Sequence, residues 1–210
     1  MARKPSPERR AQFLEAALKL FVQNGVQHTS TAAIAKEAGS AAGTLFLYFP
    51  TKQDLIDELI LQIGSEQSIY IKKKLTPTLP VRDSFFTIWD GTLRWFLTHL
   101  DAFLYVQQVR DTGLISETAV HESEHFFDYY YHAIQKGLAA GSIKPYPIEL
   151  IGDILYQDIV AVMNLIRMQP DPAKQEEYLQ NGFNIFWDGI KAAGPLSCSS
   201  ASWRVCRWSV

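Results

Sequence analysis

Residues 28–58 predict two short helices that are separated by a tight turn and stopped by a proline. Ser30 is a favourable N-cap, and the alanine-rich stretch after it favours a helix. Gly39 is placed to end that helix in the left-handed conformation. A second helix can begin near Ala42, but Pro50 prevents it from continuing far, because the residue before a proline is pushed out of the α region. This spacing is typical of a helix-turn-helix, whose second helix enters the major groove of DNA.

The resemblance to a known family rests on several short matches spread along this segment. They are Ile34-Ala35, Ala38-Gly39, Gly43-Thr44-Leu45-Phe46, Tyr48-Phe49, and Lys52 with Leu55. Taken together, these residues resemble the N-terminal domain of TetR-family repressors over roughly residues 8–60. The sequence departs from the family at Ser40-Ala41, where Val-Ser is commoner. Ala41 therefore lacks the hydroxyl that would cap the second helix.

The predicted DNA contacts combine small side chains with hydroxyl and ammonium groups. Small residues at the start of the second helix let its backbone approach the groove floor. The resemblance implies phosphate contacts for Thr31, Thr44, Tyr48 and Lys52, which fix the position of a protein on DNA without reading its sequence. The full predicted set is Arg3, Lys4, Thr31, Ala32, Ala42, Gly43, Thr44, Phe46, Tyr48 and Lys52.

The charge of the chain is distributed unevenly. Residues 1–52 contain seven Lys or Arg and three acidic residues, a net charge of +4, whereas the whole chain carries −2. A basic N-terminal module beside an acidic body suits a protein that approaches phosphate with one end. Arg3 and Lys4 are placed to enter a narrow minor groove. A solvated basic tail is the alternative, and the adjoining helix-turn-helix favours DNA binding over it.

The remaining composition is that of an ordinary globular protein. With 210 residues and 47% hydrophobic content, the chain can bury a substantial core. No apolar run reaches the length of a membrane span, and the N-terminus lacks the apolar segment of a signal peptide, so we expect a cytoplasmic protein with no membrane partner. The two cysteines, Cys198 and Cys206, lie in the tail and cannot form a disulfide framework.

Helical periodicity and proline positions predict an all-α fold of nine helices. The predicted units are a helix-turn-helix domain at 1–52, a ligand-binding and dimerisation domain at 53–193, and an unstructured tail at 194–210. The last two helices, 148–168 and 173–192, are apolar over wide faces, and a second copy of the chain could cover them. The resemblance implies the same homodimer, built as a four-helix bundle.

A zinc-hydrolase motif is the main competing signal. His121-Glu-Ser-Glu-His125 matches the H-E-x-x-H pattern within a helix predicted over residues 116–138. A catalytic zinc needs a third protein ligand, and the extended motif would place a histidine where Tyr131 stands. We expect no metal here and a polar outer helix face, and a zinc-dependent hydrolase that uses His121 and Glu122 with His125 stays as the alternative function.

A candidate effector pocket is suggested by Trp89, Asp153 and Tyr156. A carboxylate in a mostly apolar helix is either exposed or functional. With two aromatic rings it would suit a cationic, planar ligand. The spacing of these residues also resembles the effector pocket of RamR-type multidrug-sensing repressors. The alternative is a solvent-facing Asp153 and a Trp89 that belongs to the core.

These features together predict a homodimeric transcriptional repressor that is not an enzyme and needs no cofactor. Two helix-turn-helix units would occupy successive major grooves, ~34 Å apart, on a palindromic double-stranded operator. A small lipophilic effector, cationic and aromatic if Asp153 faces the pocket, would bind the C-terminal domain and release the DNA.

Overall fold

The computed structural model describes residues 6–193. Arg3, Lys4 and the tail at 194–210 lie outside the described residues. Within them the fold is all-α, as the sequence predicts, with one isolated antiparallel bridge between Ile143 and Lys191. The α-helices are α1 (Pro7–Asn24), α2 (Thr31–Glu37), α3 (Ala42–Leu45), α4 (Lys52–Lys72), α5 (Val81–Thr98), α6 (Leu100–Asp111), α7 (Glu117–Ser123), α8 (Asp128–Ala139), α9 (Ile148–Ile166) and α10 (Pro172–Ile190), with a 3₁₀ turn at Glu124–Phe127.

Local capping interactions set several helix ends, including the two ends of α2 that the sequence predicts at Ser30 and Gly39. The side chains of Ser6 and Ser30 accept hydrogen bonds from the first turns of α1 and α2. Thr51 and Asp54 form a reciprocal capping box at the start of α4. Gly39 follows α2 with φ of +63°, a conformation that a β-carbon would strain. These local interactions explain why the helix-turn-helix boundaries can be read from sequence.

The helix expected at 116–138 is interrupted. It consists of α7, the 3₁₀ turn and α8. At the interruption the ring of Phe126 packs against Gly64 of α4, where a β-carbon would lie 3.0 Å from the ring. The hydroxyl of Ser68 donates a 2.8 Å hydrogen bond to the carbonyl oxygen of Phe126. These tertiary contacts with α4 coincide with the change from α-helix to 3₁₀ turn. The hydrophobic periodicity of the sequence cannot predict them.

Two aromatic-rich regions share one continuous core. In the N-terminal head, α1, α2 and α3 bury side chains that include Phe13, Ile34 and Leu45. In the body, Phe183 and Phe186 of α10 pack against α5. Burial of this apolar surface is the main favourable contribution to folding. No helix within residues 6–193 has both the length and the apolar character that a membrane crossing requires.

Candidate DNA interface and ligand cavity

The second helix of the helix-turn-helix has an open surface. α3 is a single turn whose N-cap residue, Ala41, provides no side-chain hydrogen bond, as its missing hydroxyl predicts. Ala42 and Gly43 are exposed, and a β-carbon added to Gly43 would meet no atom within 4 Å. The backbone of α3 is therefore accessible at this surface, and a nucleic-acid groove can approach it closely.

Tyr48 is held in place by the beginning of α1. Its hydroxyl oxygen accepts a 2.9 Å hydrogen bond from the backbone N–H of Ser6, and its ring packs edge-on against Phe13 with centroids 5.5 Å apart. The hydroxyl hydrogen stays available to donate to another acceptor, such as a phosphate oxygen. Thr31 and Thr44, the other predicted hydroxyl contacts, are half-buried on α2 and α3.

Lys52 lies at the first position of α4, beside the helix-turn-helix. Its Nζ donates a 3.3 Å hydrogen bond to the carbonyl oxygen of Gln27 and lies 5.9 Å from the ring centroid of Phe21. Desolvation by burial lowers the pKa of Lys52. The ammonium group is therefore fixed at the junction between head and body, where it can serve as a positioned charge for a phosphate.

Apolar side chains are also exposed beside α3. Ala32 is exposed on α2, and Phe46 is 45% exposed at the end of α3. Leu47, which the sequence analysis does not single out, is 67% exposed. Apolar groups at a DNA-facing surface can contact thymine methyl groups. The only sequence signal for Leu47 is its position within the matched Leu45–Phe49 segment.

The H-E-x-x-H residues do not share an α-helical face. α7 ends at Ser123, so His125 lies in the 3₁₀ turn, where its ring packs against Phe126 with centroids 4.0 Å apart. The side chain of His121 is 84% exposed, and its Nδ1 lies 3.3 Å from Glu124. Across residues 6–193, no group of three or more His, Cys, Asp or Glu side chains is arranged to hold a metal ion.

The body contains a cavity of about 600 Å³ that is lined by residues of α4 to α9. This volume lies within the usual range for small-molecule sites. Most of the lining is aliphatic or aromatic, and it includes Tyr156. Several lining residues that are not evident from the sequence supply polar groups, among them Gln67, Tyr130 and Arg110. Gln67 carries a weak sequence signal, because it is a polar residue in the apolar stripe of α4.

Trp89 does not line the cavity as the predicted pocket requires. It is fully buried in the core. Its indole N–H donates a 3.0 Å hydrogen bond to the carbonyl oxygen of Leu179, and its ring stacks on Phe186 with centroids 6.4 Å apart. These contacts turn Trp89 toward α10, whereas the preceding residue, Ile88, faces the cavity. Trp89 therefore belongs to the core, which is the alternative that the sequence left open.

Asp153 lies at the cavity mouth, and its side chain is 76% exposed. Its carboxylate is 3.7 Å from the guanidinium group of Arg110. That guanidinium group also lies 3.9 Å from the ring centroid of Tyr156. The pocket suggested by the sequence would have a buried Asp153 beside an open Tyr156 ring. In the structure Asp153 is instead exposed and paired with Arg110, which covers that ring.

A helix-turn-helix head with an open second helix is joined through α4 to a helical body that contains an apolar cavity. These features define the class of helix-turn-helix transcriptional regulators. The family model described as "Bacterial regulatory proteins, tetR family" matches residues 13–59.

Similar proteins extend this match along the chain. The uncharacterized HTH-type transcriptional regulator YhgD of Bacillus subtilis is 25% identical over 173 residues, which cover 81% of this chain and 91% of that protein. The HTH-type regulator AcrR of Shigella flexneri is 44% identical over 62 residues, which cover 28% of this chain and 29% of AcrR. A Shewanella sp. PV-4 crystal structure assigned to the tetR family of transcription regulators superposes with a TM-score of 0.82 and 27% identity, covering 88% of this chain and 99% of that one.

Residues 13–59 match the DNA-binding domain of the TetR family, and most of the chain is similar to helix-turn-helix transcriptional regulators of that type. The expectation from the residues of the helix-turn-helix is therefore confirmed. The protein is a transcription regulator, and the similar proteins give no support to the alternative of a zinc-dependent hydrolase.

Proposed function

We propose that the protein is a homodimeric repressor that binds a palindromic operator and releases it when a small molecule enters the cavity of the body. The observation that carries this proposal is that one helix, α4, contributes to both sites. Lys52 stands at its first turn beside the helix-turn-helix, and Ile63 and Gln67 line the cavity further along. A ligand in the cavity thus touches the helix that positions a DNA-contacting charge.

The length of α4 sets the scale of this coupling. Fifteen residues separate Lys52 from Gln67, which corresponds to ~22 Å along a helix. A small tilt of α4 at the cavity therefore displaces Lys52 and the adjoining head. In a dimer the displacement changes the spacing of the two heads, which must match ~34 Å on DNA. A coupling free energy of roughly 1–3 kcal/mol would give 5–150-fold derepression.

The proposed dimer interface is formed by α9 and α10. Exposed apolar side chains follow one face of α9, at Leu150, Ile154 and Leu165. On α10, Ile185 is 72% exposed. The spacing of the α9 residues places them on one side of the helix, and an exposed apolar stripe of this kind favours association. A second copy that contributes the same two helices would cover both faces.

The domain assignment follows from this arrangement. We assign residues 1–52 to the DNA-binding domain and residues 53–193 to the ligand-binding and dimerisation domain, although α4 packs against elements of both. The predicted contacts Thr31, Thr44, Tyr48 and Lys52 form the proposed phosphate-binding set. A cytoplasmic location is part of the proposal, since a regulator of this kind acts on chromosomal DNA.

The test is to measure binding to the intergenic DNA upstream of the protein's own gene, with and without small apolar molecules. We expect one dimer per palindromic site and an affinity that falls steeply with salt concentration. Lys52→Ala should weaken binding to every sequence. Lack of DNA binding by a folded dimer would contradict the proposed operator, and binding that no small molecule relieves would contradict ligand-induced release.

A further inference from the structure

Three buried polar atoms in the cavity wall have no hydrogen-bond partner within the protein. They are Nε2 of Gln67 and the hydroxyl oxygens of Tyr130 and Tyr156, and they are the only such side-chain atoms found among residues 6–193. Gln67 is only 6% exposed. Burying a polar group without a partner is unfavourable, so such groups are normally satisfied. Their convergence on one cavity from α4, α8 and α9 indicates a ligand with hydrogen-bonding atoms.

These groups favour a ligand that offers acceptor atoms. The amide nitrogen of Gln67 can only donate. Burial raises the pKa of the hydroxyls of Tyr130 and Tyr156. Both phenols therefore keep their protons and can donate as well. A carbonyl oxygen accepts two hydrogen bonds. An ester-type carbonyl group also has a second oxygen, so it complements such donors.

The cavity interior carries no charge among its described lining residues. Its three charged residues, Arg110, Glu149 and Asp153, are exposed at the mouth. A charged group buried in the interior would have no counterion there and would lose its hydration. A cation approaching Tyr156 would also meet the guanidinium group of Arg110, which already lies over that ring.

The backbone of α9 leaves room for the side chain of Tyr130. Gly152 precedes Tyr156 by one helical turn, and a β-carbon at this glycine would lie 3.4 Å from the hydroxyl oxygen of Tyr130. Because a glycine stands there, the side chain of Tyr130 can pack close to the backbone of α9, one turn before Tyr156. The rest of the wall is mainly aliphatic and aromatic.

We propose that the effector is an uncharged, largely apolar molecule with an ester-type carbonyl group, whose oxygens accept hydrogen bonds from Gln67, Tyr130 and Tyr156. This inference rests on the proposed ligand-released repressor, because it names the chemical class that the cavity selects. The inference departs from the cationic ligand that Asp153 suggests in the sequence.

Four probes of one chain length separate the possibilities. They are methyl octanoate, which is neutral with a carbonyl group; octane, which has no oxygen; octanoate, an anion; and octyltrimethylammonium, a cation. Binding to the full chain is measured at neutral pH by calorimetry and by the shift in melting temperature, since a ligand that binds only the folded state raises it. We expect methyl octanoate to bind most tightly. Equal or tighter binding of either ion would overturn the inference.

Gln67→Leu separates the contribution of the hydrogen bond to ligand affinity from that of apolar contact. The substitution replaces an unpartnered buried amide by an apolar group of similar size, so the free protein should fold and melt at the same temperature or higher. Methyl octanoate should bind about fivefold more weakly, as expected for the loss of one hydrogen bond. Octane should bind unchanged or better. Gln62→Leu, the same substitution at an exposed position of α4, is the matched control and should change the affinity for neither probe.

Tyr130→Phe and Tyr156→Phe extend the test to the other two groups. Each substitution should weaken the binding of methyl octanoate more than that of octane. An equal effect on the two affinities would show that the hydroxyls do not bind the carbonyl group. DNA binding is recorded separately for every variant. Methyl octanoate that binds through Gln67 without releasing DNA would contradict the proposed function alone. Release of DNA by the cation with no dependence on Gln67 would contradict this inference alone.

Discussion

The rings of Phe21 in α1 and Tyr105 in α6 stack with their centroids 5.9 Å apart. The hydroxyl of the buried Tyr105 also donates a 2.7 Å hydrogen bond to the carbonyl oxygen of Ile56 in α4. One side chain thus connects the first helix of the head with α4 and α6. Because Val106 and Arg110 of α6 line the cavity, a shift of α6 would reach the head through Tyr105 as well as through α4.

Tyr105→Phe should weaken this connection while keeping the aromatic stack. Loss of the buried hydrogen bond should lower the free energy of unfolding by about 1 kcal/mol, measured by denaturant titration. The factor by which methyl octanoate lowers operator affinity should also decrease, with little change in the affinity for methyl octanoate itself. Tyr70→Phe, at a half-buried α4 residue outside the junction, is the control. If methyl octanoate lowers operator affinity by the same factor in Tyr105→Phe, Tyr105 does not transmit ligand binding to the head.

The sequence predicts those parts of the fold that short-range interactions determine. Ser30 and Gly39 delimit α2 because capping and left-handed glycine depend on a few adjacent residues. The sequence leaves open whether Trp89 belongs to the pocket or to the core, and it does not say which neighbour covers the ring. Its contacts with Leu179 and Phe186 come from α10, about ninety residues further along the chain.

The cavity is predicted less well than the head for the same reason. Gln67, Tyr130 and Tyr156 come from three separate helices. Their convergence depends on how α4, α8 and α9 pack, which no local pattern encodes. The ion pair between Arg110 and Asp153 is also a tertiary contact, and it changes the interpretation of Asp153. Local motifs therefore identify the DNA-binding head, whereas ligand chemistry requires the packed body.

Lys52→Ala should reduce both the affinity for DNA and its salt dependence. The ammonium group neutralises one phosphate per protomer in the proposed complex, so a dimer loses two contacts. The slope of log K against log salt concentration should become shallower by about 2, as measured by fluorescence anisotropy. Lys73→Ala, at the far end of α4, should leave the slope unchanged. A change in base preference with an unaltered slope would refute the phosphate role.

Ile185→Asp should dissociate the proposed dimer. The side chain is 72% exposed on α10 in the single chain, and a charged group buried there on association would be strongly unfavourable. Sedimentation velocity should show a monomer, and operator binding should fall because one head no longer positions the other. Ile69→Asp, at a 55% exposed position on α4, is the matched control. A dimer that persists in Ile185→Asp would place the interface elsewhere.

Asp153→Asn should have little effect on either stability or ligand selection. The carboxylate is mostly exposed and lies 3.7 Å from Arg110, and surface ion pairs of this kind contribute from nothing to about 1 kcal/mol. Because the side chain is at the cavity mouth, methyl octanoate and octyltrimethylammonium should each bind with nearly unchanged affinity by calorimetry. Glu177→Gln, an exposed acidic position on α10 outside the cavity, controls for the change in net charge. A selective loss of affinity for octyltrimethylammonium in Asp153→Asn, but not in Glu177→Gln, would restore the hypothesis of a cationic effector drawn from the sequence.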